Sequence, residues 1–202
     1  MTRDTIRNEI KTMVKERRLP HIWGTEEECL RLAEIFSLDE RQTEQLAIAA
    51  LLHDITKYFS ADEHLAYMET LGETVDNSFI LSEKTLHALT GAYYARQCFP
   101  DAVDDDVFSA IRFHTTGRAD MTLLEKLLYL ADYIEPTRAF PDCVALRQYF
   151  YDRVAEGDPE TVLHDTLILS FDMTISDLTR LRCPIHPDTV AARNFLVAQE
   201  DR

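Results

Sequence analysis

Residues 40–57, ERQTEQLAIAALLHDITK, decide the fold. The apolar run from Ala47 to Leu52 reads as the inner stripe of a buried helix, and the alanine- and leucine-rich spacing predicts a helix over 40–55. That run leads straight into His53 and Asp54, two groups that are costly to bury unless something pairs with them. A second such pair, His164-Asp165, also sits beside apolar residues, in LHDTLILS at 163–170.

Outward from this helix nearly every segment keeps the same period. Residues 2–17 place Ile6, Ile10, Met13 and Val14 on one stripe, and Pro20 is expected to close that helix. Thr25 with Glu28 matches a capping box opening a second helix through Cys29, Leu30, Leu32, Ala33 and Ile35. Ser60 with Glu63 repeats the pattern and starts a short helix that stops near Gly72. Further helices are predicted over about 83–98, 104–114, 122–133, 142–155, 159–181 and 187–199. Pro100, Gly117, Pro136, Pro141, Gly157 and Pro184 fall between or at the edges of these segments. No run alternates as a strand would, so the expected fold is all-α, a single-domain helical bundle.

The chain has 202 residues, enough for one domain with a substantial core. With 36 acidic against 21 basic residues its formal charge is −15, which disfavours binding to nucleic acid or to anionic membranes. A small anionic substrate is still admissible, provided that a pocket gathers positive charge locally. Cys29, Cys98, Cys143 and Cys183 are far apart and form no C-x-x-C, which predicts reduced thiols and a reducing compartment. The N-terminal MTRDTIRNEIKTMVKERR has no continuous apolar core, so neither a signal peptide nor a membrane span is expected there. The default expectation is a cytoplasmic protein.

Taken alone, His53-Asp54 has two readings: a buried histidine beside an exposed aspartate, or two ligands converging on one ion. Four other residues weigh on the choice. His21 falls at a helix-to-helix junction between RRLP and IWG, where a polar ligand can face inward. Asp132 lies in LLYLADYIEP, among Leu127, Leu128, Leu130 and Ala131, where a carboxylate is expensive unless it meets a cation or serves as a cap. His87 sits in TLHALTGAYYA, near Gly91 and Ala92, which permit close helix approach. His114 ends a helix in AIRFHTTGR and is either a dipole-stabilised cap or a ligand and phosphate donor. Two histidines with two aspartates form a mixed nitrogen and oxygen set that suits iron, manganese or a similar divalent ion. His164 reads as core-edge packing and Asp165 as part of a solvated face, because nothing nearby complements them. His186 falls in a turn between Ile185 and Pro187.

The order His21, His53-Asp54, Asp132 resembles the H…HD…D signature of the HD-domain metal-dependent phosphohydrolases. More narrowly, R-x-x-H-x-x-G at 18–24, LLHDITK at 51–57, LH-x-x-x-GA at 86–92, AIRFHTTGR at 110–118 and MTLLEKLLYLADYIEPTRAFPDC at 121–143 are similar to the YqeK-type bacterial symmetrical diadenosine tetraphosphatases. The likeness spans about residues 15–155. Pro20, Trp23-Gly24-Thr25 and Ala88-Leu89-Thr90 depart from the usual pattern, which alters the pocket rim and leaves the ligands intact.

The resemblance implies an HD domain over 1–155, with C-terminal helices at 156–202 packed on the same domain. It implies hydrolysis of diadenosine tetraphosphate at its centre to two ADP. A divalent transition metal, iron first and manganese second, would be held by His21, His53, Asp54 and Asp132. Asp54 and Lys57 are then the expected catalytic groups, and His87, His114, Thr115, Arg118 and Arg138 the substrate-binding ones. His87 and His114 are also candidates for a second metal. A homodimer is expected from the family alone. The alternatives are an HD phosphohydrolase acting on a nucleoside tri- or monophosphate or a guanosine alarmone, and a non-catalytic nucleotide- or metal-binding helical module.

Overall fold

The computed structural model describes residues 2–200. At the centre lies α3, Glu40–Leu52, opened by a reciprocal capping box: Gln42 N donates to Asp39 Oδ1 at 2.8 Å and Asp39 N to Gln42 Oε1 at 3.2 Å. Every residue from Gln45 to Leu52 is buried. The helix is apolar all round because neighbours pack on all sides: α1 (Arg3–Met13), α2 (Leu19–Ile35), α6 (Leu86–Cys98), α7 (Asp105–Phe113) and α8 (Leu123–Ile134). Full burial of each leucine or isoleucine in that stripe stabilises the fold by roughly 1.5–3 kcal/mol.

The peripheral elements follow from local chemistry. Ser60 and Glu63 form the expected capping box of α4, Ala61–Thr70, which gives way to Gly72 at φ 72°. A five-residue helix α5, Asn77–Leu81, is capped by Asp76, and a 3-10 turn, Glu83–Thr85, leads into α6. Thr122 and Glu125 cap α8 reciprocally. Prolines open α9 (Pro141–Val154) and α10 (Pro159–Arg180), and α11 runs from Pro187 to Glu200. Leu163, Leu167 and Phe171 of α10, with Ala192 and Leu196 of α11, join the same buried cluster as Leu46 and Leu127. A smaller cluster gathers Met68, Phe79, Leu86 and Leu89. The described residues contain no strand, in line with the all-α expectation. Residue 1 and residues 201–202 of the two expected spans lie outside the described residues.

Three boundaries differ from the sequence reading. Pro20 does not close the first helix; α1 ends at Met13, and Pro20 sits in the first turn of α2, where its missing N–H costs nothing. Thr25 is therefore no cap; it lies mid-helix, and its hydroxyl donates to His21 O at 2.9 Å. Helix α3 stops at Leu52 instead of continuing to 55. Beyond it the chain tightens into bonds from Ile55 N to Leu52 O, Lys57 N to Asp54 O and Phe59 N to Thr56 O, at 2.9–3.1 Å. Helix α6 clamps this turn: Thr56 Oγ1 donates to His87 O at 3.0 Å, and a Cβ on Gly91 would come within 3.4 Å of His53 O. The amphipathic period could not register α5 because five residues are too few to display it.

Candidate metal centre

Each site residue reaches one point from a different element. His21 stands in the first turn of α2, His53 is the C-cap of α3, and Asp54 belongs to the turn that follows. His87 lies in the first turn of α6, His114 caps the C-terminus of α7, and Asp132 sits in the last turns of α8. The side chains of His53 and Asp54 are completely buried.

Histidine tautomers follow from the hydrogen bonds. The Nδ1 atoms of His53, His87 and His114 donate to the carbonyls of Ala50, Lys84 and Ile111, at 2.6, 2.8 and 2.7 Å. His21 Nδ1 donates to Glu135 Oε1 at 3.0 Å. A neutral imidazole that carries its proton on Nδ1 presents a lone pair at Nε2. All four Nε2 atoms turn inward, with His21 and His53 3.1 Å apart and His87 and His114 3.2 Å apart. Acceptors that face each other at such distances repel unless a proton or a metal cation lies among them.

Asp54 joins the two halves. Its Oδ2 is 3.3 Å from His53 Nε2 and 3.5 Å from His21 Nε2, while Oδ1 is 3.3 Å from His87 Nε2 and 4.0 Å from His114 Nε2. Oδ1 is buried with no hydrogen-bond partner, which is expensive for a carboxylate oxygen. Asp132 Oδ1 completes the first half, 2.9 Å from His21 Nε2 and 3.6 Å from His53 Nε2. Three ligand groupings result, each within 4.8 Å: His21, His53 and Asp54; His53, His114 and Asp132; Asp54, His87 and His114. Nitrogen and oxygen donors with no thiolate fit a divalent first-row cation.

The electrostatics agree. Burial opposes ionisation of Asp54 and Asp132, yet His53 and Lys57 at the first, and Arg138 and His21 at the second, outweigh it and hold both well below the usual carboxylate range. Burial also opposes a charge on His53, but the carboxylates of Asp54 and Asp132 prevail and push it up to about 9. Burial, followed by Lys57, keeps His87 well below its ordinary value, and burial, followed by His53, pushes His114 down to about 4. The field that attracts a proton to His53 attracts a metal cation equally.

Cations surround the cluster in an otherwise acidic protein. Lys57 Nζ donates to His87 Nε2 at 3.0 Å and lies 3.5 Å from Asp54 Oδ1. Arg138 Nη2 donates to Asp132 Oδ1 at 2.6 Å, and Thr115 Oγ1 is 3.3 Å from His87 Nε2. Arg118 is different: its Nε donates to the buried Glu125 at 3.0 Å and its Nη1 to Ala119 O, so the structure does not bring it to the cluster. Glu125 caps α8 and needs that partner. His164 and Asp165, half-buried on α10, belong to none of the ligand groupings among the described residues.

Two residues of the site went unassigned in the sequence reading. Arg18 Nε donates to Asp54 Oδ2 at 2.5 Å, and its Nη2 contacts the same oxygen. Glu135, fully buried, accepts from His21 and from Thr137 Oγ1, the latter at 2.6 Å. Both lie inside the sequence blocks quoted above, which was the one signal available. Two recesses flank the cluster. One, of about 430 Å³, is lined by Lys57, His64, Lys84 and His87 among others; the other, of about 400 Å³, by Arg18, His21, Glu135, Arg138 and Phe140 among others.

A family model, the HD domain, matches residues 18–137, more than half of the chain and the whole span from Arg18 to Asp132. The chain belongs to the HD-domain family. Among HD relatives, the symmetrical bis(5'-nucleosyl)-tetraphosphatase of Halalkalibacterium halodurans is 38% identical over 194 residues, 95% of each chain. The protein of the same description from Bacillus subtilis is 35% identical over 192 residues, 94% of each chain. A crystal structure from Clostridium acetobutylicum, described as a predicted HD superfamily hydrolase involved in NAD metabolism, matches with a TM-score of 0.85 at 34% identity, covering 98% of both chains. HD membership and the His/Asp cluster together support divalent-metal binding. No helix among the described residues is long and apolar enough to cross a membrane.

Proposed function

We propose that this HD protein is a symmetrical bis(5'-nucleosyl)-tetraphosphatase, a hydrolase that converts diadenosine tetraphosphate and water into two ADP. One observation carries the reading: Asp54 faces both halves of a six-ligand cluster that lies between two cation-lined recesses. A substrate with two equal arms meets such a centre at its middle. The names of the relatives from H. halodurans and B. subtilis support the same activity.

His21, His53, Asp54 and Asp132 are assigned to one ion, iron by preference and manganese as the alternative, and Asp54, His87 and His114 to a second. Such an ion supplies Lewis acidity toward a phosphoryl oxygen and lowers the pKa of water. The protein's own groups do the rest. Arg18, Lys57 and Arg138 offset the charge of the tetraphosphate, and Thr115 adds a neutral donor. Asp54, held well below the usual carboxylate range, is a weak base, so its part is to orient the attacking water rather than to keep its proton. The water oxygen bonds to an inner phosphorus, the bond from that phosphorus to the central bridging oxygen breaks, and one ADP departs as the other is formed. The proton passes to solvent.

The proposal extends to the domain boundaries, 1–155 for the HD domain with 156–202 packed on it, to a homodimer, and to a cytoplasmic setting in which four free cysteines are stable. The decisive experiment incubates metal-loaded protein with diadenosine tetraphosphate and identifies the products. ADP alone is expected; ATP plus AMP refutes symmetrical cleavage.

A further inference from the structure

We infer that the C-terminal helices form a nucleobase subsite: the cleft between the α5 to α6 connection and the α10–α11 pair takes the base of the nucleotide whose phosphates lie at the cluster. This rests on the nucleotide reading above and deepens it.

The cleft, about 370 Å³, has Leu81, Leu178, Cys183 and Pro184 in its walls, and Lys84 and Thr115 among its polar lining residues. Small-molecule sites of this size are mostly apolar with a few convergent polar groups. Leu81 is 60% exposed, an unpartnered side chain at the rim. Continuity with the metal centre is direct. Thr115 Oγ1 is 3.3 Å from His87 Nε2, and Lys84 O receives the Nδ1 proton of the same ring. Lys84 also lines the recess that contains Lys57 and His87, so cleft and recess share a wall. A nucleotide therefore meets cations where its phosphates are and apolar surface where its base is. The α10–α11 segment, which holds no metal ligand among the described residues, thereby acquires a part in recognition.

The test compares ADP with inorganic pyrophosphate, which has the phosphates and no base, by calorimetry on metal-loaded protein. ADP is expected to bind more tightly, and Leu178→Trp, which fills the cleft, should weaken ADP by about tenfold or more while pyrophosphate keeps its affinity. Equal affinities for ADP and pyrophosphate in the wild type, or an unchanged ADP affinity in the variant, overturn the inference. So does an equal loss for both. Should Leu178→Trp fail to fold, the unmodified protein decides: ADP, but not pyrophosphate, should slow alkylation of Cys183 by iodoacetamide, followed by peptide mass spectrometry. An unchanged alkylation rate with saturating ADP rejects the cleft. These readouts need no turnover, so absence of diadenosine tetraphosphate hydrolysis would sink the proposed activity without touching this result.

Discussion

Glu135 accepts from Nδ1 of His21 at 3.0 Å, across 114 positions of sequence. Burial alone would raise the Glu135 carboxyl, but His21 and Thr137 outweigh it and hold it below its ordinary value, so it faces the ring as an anion. An anion on the outer nitrogen fixes the tautomer and makes the inner nitrogen a better ligand. Glu135→Ala should weaken metal binding by roughly 10–100-fold. Glu135→Gln, which keeps an acceptor without the charge, should fall between. Metal titrations of the three proteins check this order.

Gly24 lies one turn beyond His21, and a Cβ there would strike the Glu135 carboxylate and approach Thr137 Cγ2 at 3.4 Å. Gly24→Ala should therefore act as an overpacking change and destabilise the fold by about 1–3 kcal/mol. Because the displaced group is Glu135, metal affinity should drop as well. Urea denaturation with and without chelator separates the two effects.

The two His-Asp pairs give a direct contrast. His53→Ala removes a ligand that belongs to two of the groupings and should abolish both metal retention and hydrolysis. His164→Ala, remote from all of them, should leave both intact. Metal analysis of the purified variants, with product assay, is sufficient; loss of metal in His164→Ala would mean that the wrong pair was chosen.

Metal affinity should also rise with pH. The carboxylates of Asp54 and Asp132 overcome burial and bring His53 to about 9, so below that pH the metal-free ring holds a proton that an incoming ion must displace. Affinity then grows by up to about tenfold per pH unit, flattening near pH 9 as far as this group is concerned. Chelator competition across that range measures the slope, and a flat profile contradicts it.

Much of this was legible in the residues. Helix α3 announced itself because a stripe buried on all sides has no polar face to disguise it, and the capping box at Ser60 held because it is a local hydrogen-bond pattern. Pro20 misled because the same ring that ends one helix suits the first turn of the next. His53 and Asp54 looked like neighbours on a helix, separated by about 100°, whereas the turn after Leu52 frees the backbone to aim both inward. Glu135 and Arg18 were hidden for another reason: each acts only through a partner distant in sequence. Arg118, expected from its motif block to contact substrate, pairs with the buried Glu125.

Three of the four cluster histidines bond to a carbonyl just three residues back: His53 to Ala50, His87 to Lys84 and His114 to Ile111. Each of those rings is aimed by its own short stretch of backbone. His21 alone is aimed by a side chain distant in sequence, Glu135 at the end of α8, in a segment whose carbonyls at 134, 135 and 138 are gathered by Arg147 of α9. Displacing that segment would remove the partner that aims His21, while the other three rings would keep their carbonyl anchors. An ion held through His21 would therefore bind most firmly where α2, α8 and α9 are packed together.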